Sequence, residues 1–280
     1  MVMHIVVCVK QVPDSSQIRV HPVTNTIMRQ GVPAVVNPYD LISLEEALRV
    51  KDRFGARVTV LSMGPKMAAD ALKKCISFGA DDAILITDRV FAGSDTLATS
   101  YALASAIRTI GGGNPVDMVF CGKQTIDGDT AQVGPGIARR LGLQQLTYVS
   151  RIESLDPQAR EIVAHRRAEG GVQVLKTKLP CLVTMMEGAN SIRFADMDAM
   201  FRAARYDVIE WDHKAAGIPE VARCGLKGSP TVVKKVFAPP PRAKKAEIVD
   251  VAGRPPREAV DALLGKLFAA HPALEEEIAR

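Results

Sequence analysis

Four short apolar runs, separated by helix-length amphipathic stretches, constrain this chain more than any other feature. Met3–Val9, Arg57–Met63, Ala83–Thr87 and Val116–Cys121 are rich in valine, isoleucine and leucine. Runs of that length without polar alternation fit strands buried on both faces. Between them lie a segment reaching Phe54, Lys66–Phe78 and Thr96–Ile110, each followed by glycine at Gly55, Gly79 or Gly111. Glycine adopts the left-handed conformation that closes a helix more readily than any other residue. The alternation predicts an α/β protein, doubly wound, with a mainly parallel sheet and helices on both faces. Ligands on such sheets lie beyond the carboxyl ends of strands, near a switch in strand order. The loops after 3–9, 57–63 and 116–121 are therefore the candidate site.

Residues 15–36 read as polar and irregular, with a small hairpin around Asn25. Asn37-Pro38-Tyr39-Asp40 predicts a turn, followed by a helix to about Phe54 with Ser43 and Glu46 as a capping box. Beyond Leu146 the apolar residues alternate. Leu146–Ser154, Glu161–Ala168 and Val172–Lys178, the last two joined at Glu169-Gly170-Gly171, predict an antiparallel addition. Leu182–Met186 is read as a further strand and Phe194–Ala203 as a short helix. Residues 225–280 read as an extended C-terminal arm, with a turn-rich stretch over 225–231 and an extended triple proline after Ala238. Arg257–Ala270 is its helix, carrying Val260, Leu263, Leu264, Leu267 and Phe268 on one stripe. The expected division is thus 1–224 and 225–280, the stripe covering either its own domain or a partner.

The net charge is +5, yet pairs such as Arg139-Arg140 and Lys244-Lys245 are short and lack interleaved aromatics. That argues against nucleic-acid binding. The five cysteines form no C-x-x-C pair and the five histidines no metal-ligand spacing, so no metal site is expected. Met3–Val9 is too short for a signal peptide or a membrane span, which predicts a reducing, cytoplasmic setting. No nucleophile, acid or base arrangement emerges. A chain without catalytic side chains can leave its chemistry to a cofactor.

The residues directly after Cys121 are Gly122, Lys123, Gln124, Thr125, Ile126, Asp127, Gly128, Asp129, Thr130, Ala131, Gln132, Val133 and Gly134. A polar loop between strand and helix offers an anion unpaired N–H groups and the positive end of the helix dipole. Gly122 and Gly128 permit positive φ and close backbone approach to a ligand, and Thr130 is read as the cap that leaves the amides of Ala131, Gln132 and Val133 for phosphate. Pro135 also allows the helix to start at Gly134. The loop is neither a Walker A nor a G-x-G-x-x-G motif. Nucleotide binding and a plain structural connection both fit these residues. Asp127 and Asp129 read as solvated turn residues, and Lys123 as either a phosphate partner or an exposed side chain.

Cys8-Val-Lys-Gln-Val-Pro-Asp14, Asn37-Pro-Tyr-Asp40, Ser62-Met-Gly-Pro65 and above all Gly122–Pro135 resemble the electron transfer flavoprotein β subunit. The resemblance runs over nearly the whole chain in order. It implies a heterodimer with an α subunit that carries its own FAD. It also implies an adenine-nucleotide site formed by Cys8, Asn37, Pro38, Tyr39, Asp40, Met63 and the loop from Gly122 to Val133. One branch of the family holds AMP there as a structural ligand. The electron-bifurcating and nitrogen-fixation-associated branch holds a second FAD that takes hydride from NADH and passes electrons to the α subunit and to ferredoxin or flavodoxin. Gly128, where AMP-type sequences are bulkier and acidic, and the stretch 225–231 resemble the bifurcating branch. Met63 stands where AMP-type sequences often have cysteine, and Ala189 where they carry a leucine anchor for acyl-CoA dehydrogenases. An alanine cannot supply that contact, so the implied acceptor is another dehydrogenase or a quinone-linked oxidoreductase. A stand-alone ATP-binding or adenylating enzyme is the rival from another class, but Lys10–Asp14 contains no Ser-Gly-Gly loop.

Overall fold

A computed structural model describes residues 2–14, 19–20, 27–28, 33–234, 253 and 255–278. It divides into two units, 1–237 and 238–280.

The first strand, β1 (His4–Cys8), shows why the apolar runs fold as they do. Ile5 and Val7 point to one face of the sheet and Val6 and Cys8 to the other, each into a separate apolar cluster. With period two, a strand covered on both sides has no position for a polar residue. Each fully buried aliphatic side chain contributes roughly 1.5–3 kcal/mol.

Two short antiparallel pairs follow. β2 (Gln11–Pro13) pairs with β5 (Ala34–Val36), and β3 (Arg19–Val20) with β4 (Ile27–Met28). Asn25, the expected hairpin centre, lies outside the described residues, as does the extended stretch 238–242. Helix α1 (Pro38–Phe54) then starts earlier than expected. Pro38 occupies the first turn instead of a preceding turn, where its missing donor costs little. Ser43 is consequently deep in the helix, buried, with its Oγ unpaired among the described residues, and forms no capping box with Glu46. Gly55 closes the helix at φ 69°.

Strand and helix then alternate as β6 (Arg57–Met63), α2 (Ala69–Phe78), β7 (Asp82–Ile86), α3 (Thr96–Gly111), β8 (Met118–Gly122) and α4 (Val133–Leu141). β9 (Gln144–Asp156), β10 (Glu161–Ala168), β11 (Gly171–Lys178), β12 (Cys181–Met185), α5 (Met197–Ala204) and β13 (Ile209–Trp211) complete the unit. Among the described residues the main sheet runs β11-β10-β9-β12-β8-β1-β6-β7-β13. Its pairings are parallel except those of β10 with β9 and β11, the expected antiparallel addition. Residues of α1, α2 and α5 pack on one face and of α3 and α4 on the other. The fold class is therefore as the sequence predicts. β13 has only three residues and gave no sequence signal.

The second unit contains α6 (Pro256–Ala270) and α7 (Pro272–Ile278). Val260, Leu263 and Leu267 on the α6 stripe are exposed. Among the described residues no helix is long and apolar enough to cross a membrane.

Candidate functional site

The strand order puts β1 between β8 and β6, in parallel register. Cys8 stands opposite Cys121 on one side and Leu61 on the other. The three loops singled out from the sequence thus leave the same edge of the sheet from neighbouring strands. Cys8, Met63 and Gly122 come together there.

Two buried side chains from the start of α1 join these loops. Asn37 donates its backbone N–H to Lys10 O (2.9 Å) and its Nδ2 to Gln124 O (2.9 Å), while its Oδ1 accepts from Ile126 N (3.2 Å). Asp40 accepts from Lys10 N (2.8 Å) and Gly122 N (3.1 Å). Burial pushes the Asp40 carboxyl up to about 7, against the hydrogen bonds that favour its anion. Lys10 Nζ closes the ring on Asp127 at 2.7 Å. Burial works to raise the Asp127 carboxyl, but the bond from Lys10 leaves it below its ordinary value. The side chains of Asn37 and Asp40 are therefore spent on the protein's own backbone. They hold the loop; they do not project from it.

Gly122 does not use the left-handed freedom that its residue type permits; its φ is not positive. A Cβ there would lie 2.7 Å from Tyr39 Cβ and collide with the Asp40 carboxylate. The residue is small because the first turn of α1 lies against it. Gly128 also lacks a positive φ, and a Cβ would meet only Thr125 Oγ1 at 3.4 Å. The left-handed positions are instead Asp129 (φ 53°) and Ala131 (φ 54°), neither of them glycine. Such a conformation costs an L-residue about 1–2 kcal/mol, and clusters of it mark sites where backbone geometry serves a ligand. Gln124 Nε2 holds Asp129 Oδ1 at 2.8 Å.

Helix α4 begins at Val133, and Gln132, not Thr130, is its N-cap, with no side-chain cap bond. Pro135 has no N–H, and the Gly136 amide already donates to Gln132 O. The first-turn amides of Val133 and Gly134 are not consumed by the helix. A Cβ at Gly134 would reach Thr184 Cγ2 at 2.8 Å, so α4 lies flush on β8 and β12 with its N-terminus at the crevice. Lys123 is neither exposed nor available. Its Nζ pairs with Glu187 at 2.8 Å and lies 4.7 Å from the centre of the Tyr39 ring, and the Glu187 bond raises its pKa. The anion-binding capacity of the loop therefore resides in backbone amides and the helix dipole. Among the described residues no group of His, Cys, Asp or Glu is placed to hold a metal.

Beyond β6, β7 and β13 the crevice opens beside Met63 into a cavity of about 950 Å³, lined among others by Lys66, Asp88, Phe91 and Trp211. His213 Nδ1 is 2.6 Å from Asp88 behind it. Ala189 is packed against the core, whereas Phe194 in the same segment is 98% exposed. Sequence reasoning missed the roles of Lys10, Glu187 and Thr96. Lys10 at least lies within the Cys8–Asp14 motif. Glu187 meets Lys123 across 64 positions of chain and Thr96 meets Gln132 across 36, and no local pattern marks either.

A sequence profile of the electron transfer flavoprotein domain matches residues 24–216. Protein FixA of Azotobacter vinelandii is 66% identical over 278 residues, covering 99% of each chain. The electron transfer flavoprotein subunit beta of Clostridium acetobutylicum is 44% identical over 270 residues, 96% of this chain and 99% of its own. Subunit CarD of the caffeyl-CoA reductase-Etf complex of Acetobacterium woodii is 40% identical over 270 residues, again 96% of this chain and 99% of its own.

Proposed function

The chain belongs to the electron transfer flavoprotein family as a β-subunit-like member, and from that premise we propose that the crevice beyond β8, β1 and β6 seats an FAD. The observation that carries the reading is the uncapped N-terminus of α4, brought to the sheet edge by a loop that Asn37 and Asp40 pin from beneath. The residues fit the group. The amides of Val133 and Gly134 would take a phosphate oxygen, and Asp129 and Ala131 hold the strained turn that aims them. Gly128 leaves space beside the loop for the rest of a dinucleotide. Cys8 and Met63 would present the ends of β1 and β6 to the adenine.

When bound, the flavin would supply hydride acceptance from NADH and one-electron delivery to the α subunit's FAD and to a low-potential carrier such as ferredoxin or flavodoxin. The chain's residues would place the ligand, exclude water with the β1 and β8 loops, and set its electrostatic surroundings. Resemblance to a subunit of a caffeyl-CoA reductase-Etf complex, together with high identity to FixA, supports this bifurcating role over a purely structural AMP. The α subunit is the obligatory partner in this reading, with a dehydrogenase or quinone-linked oxidoreductase as further acceptor. Residues 1–224 would form the nucleotide-binding part and 225–280 the arm that meets the partner, in a soluble cytoplasmic complex.

Counting nucleotides in the co-purified heterodimer tests the assignment. Two flavins per pair are expected. One flavin plus one AMP would overturn the FAD assignment, and one flavin with no second nucleotide would overturn the site.

A further inference from the structure

The uncapped start of α4 raises the question of what holds it still. Gln132 does not cap its own helix; its Oε1 instead accepts from Thr96 Oγ1 at 2.8 Å. Thr96 is the first residue of α3, and α3 is itself secured at that end. The Asp95 Oδ1 caps it by accepting from Leu97 N (2.9 Å) and Ala98 N (3.0 Å). The other carboxylate oxygen accepts from Thr231 N (3.1 Å) and Thr231 Oγ1 (2.8 Å). Ser229 Oγ accepts from Asp95 N at 2.8 Å, and Gly225 N donates to Ser94 Oγ at 3.0 Å. A Cβ at Gly225 would collide with the Val90 carbonyl, so the segment lies directly on the backbone before α3.

We propose that Thr96 is a positioning residue for the nucleotide-binding end of α4, braced through Asp95 by the segment 225–231; this rests on the nucleotide reading above. The two helices also touch further along, where a Cβ at Gly136 would lie 2.6 Å from Ser100 Oγ. The α4 axis is therefore held by packing at Gly134 and Gly136, while the N-cap residue that leads into its first turn is held by the Thr96–Gln132 bond. Losing that bond leaves the helix in place and loosens its N-terminal entry, and with it the Val133 amide that follows Gln132. Binding by backbone N–H groups depends on their direction, so the consequence falls on ligand retention more than on folding.

The test uses the heterodimer with its α subunit, stripped of nucleotide and reloaded with FAD, with AMP as a second probe. Thr96→Val should release the β-site nucleotide about three- to tenfold faster, the loss of one neutral hydrogen bond. Thr96→Ser should restore the wild-type rate, and the thermal midpoints of both should match wild type. Asp95→Asn keeps an oxygen to cap α3 but loses the acceptor for Thr231, and faster release is expected there as well. Gln132→Met removes the acceptor at an exposed position and serves if Thr96→Val does not fold. A wild-type complex that retains nucleotide, with Thr96→Val or Gln132→Met releasing it at the wild-type rate, overturns the role of Thr96. A wild-type rate in Asp95→Asn alone overturns the bracing by 225–231. A wild-type complex that takes up neither probe overturns the nucleotide reading itself.

Discussion

Gly122 and Asp40, 82 positions apart, are joined by a 3.1 Å hydrogen bond from amide to carboxylate that fastens the end of a central strand to the first turn of a helix. The contact leaves no room for a side chain on Gly122, since a Cβ would stand 2.7 Å from Tyr39 Cβ. Gly122→Ala should therefore displace the start of α1 and cost about 1–3 kcal/mol, the usual range for overpacking. Urea unfolding measures it, and an unchanged midpoint would refute the close approach.

Asp40 gives a pH prediction with a definite sign. Its ordinary value is 3.8, and burial in the fold raises it to about 7. The folded state therefore keeps a proton that the unfolded chain releases. The stability this contributes is complete below about pH 4 and is lost as pH rises through about 7. The unfolding free energy of wild type minus that of Asp40→Asn should fall as pH rises across that window and level off above it. A difference that is constant with pH would show that the fold does not raise the Asp40 carboxyl.

Gly128 separates structural from electrostatic effects. Gly128→Ala meets only Thr125 Oγ1 at 3.4 Å and should leave stability within about 0.5 kcal/mol. Gly128→Asp adds a charge beside the expected phosphate and should lower nucleotide affinity roughly tenfold or more, while leaving the α-subunit flavin bound. Equal flavin content in both variants would move the phosphate away from this loop.

Ala131 holds φ 54° without being glycine. Relief of about 1–2 kcal/mol of left-handed strain, less the added chain entropy of glycine at about 0.5–1 kcal/mol, should make Ala131→Gly more stable by about 0.5 kcal/mol. Thermal unfolding of the pair of proteins reads this directly. A destabilised variant would place the strain elsewhere in the loop.

The sheet was legible because its strands are buried on both faces and so carry unbroken apolar runs, as β1, β6, β7 and β8 do. Asn37-Pro38 fits a turn and a helix start equally, and the burial of Ser43 on the inner face of α1 decides between them. The loop 122–133 was visible as a candidate, yet its working parts were not. Lys123 meets Glu187, Asn37 meets Gln124 and Ile126, and Asp40 meets Gly122, all through contacts that exist only after the strands are ordered side by side. Nor does local pattern mark Asp129 and Ala131, neither of them glycine, as the left-handed positions of the loop.

The position of β1 at the middle of the sheet bears on how the chain is made. Both its neighbours, β6 and β8, are translated after it. Its two hydrogen-bonding edges stay open until about residue 63 on one side and residue 122 on the other have emerged. An unpaired Val/Ile-rich edge recruits foreign strands, so the nascent chain is most exposed to misassociation during that interval, before the crevice has any walls.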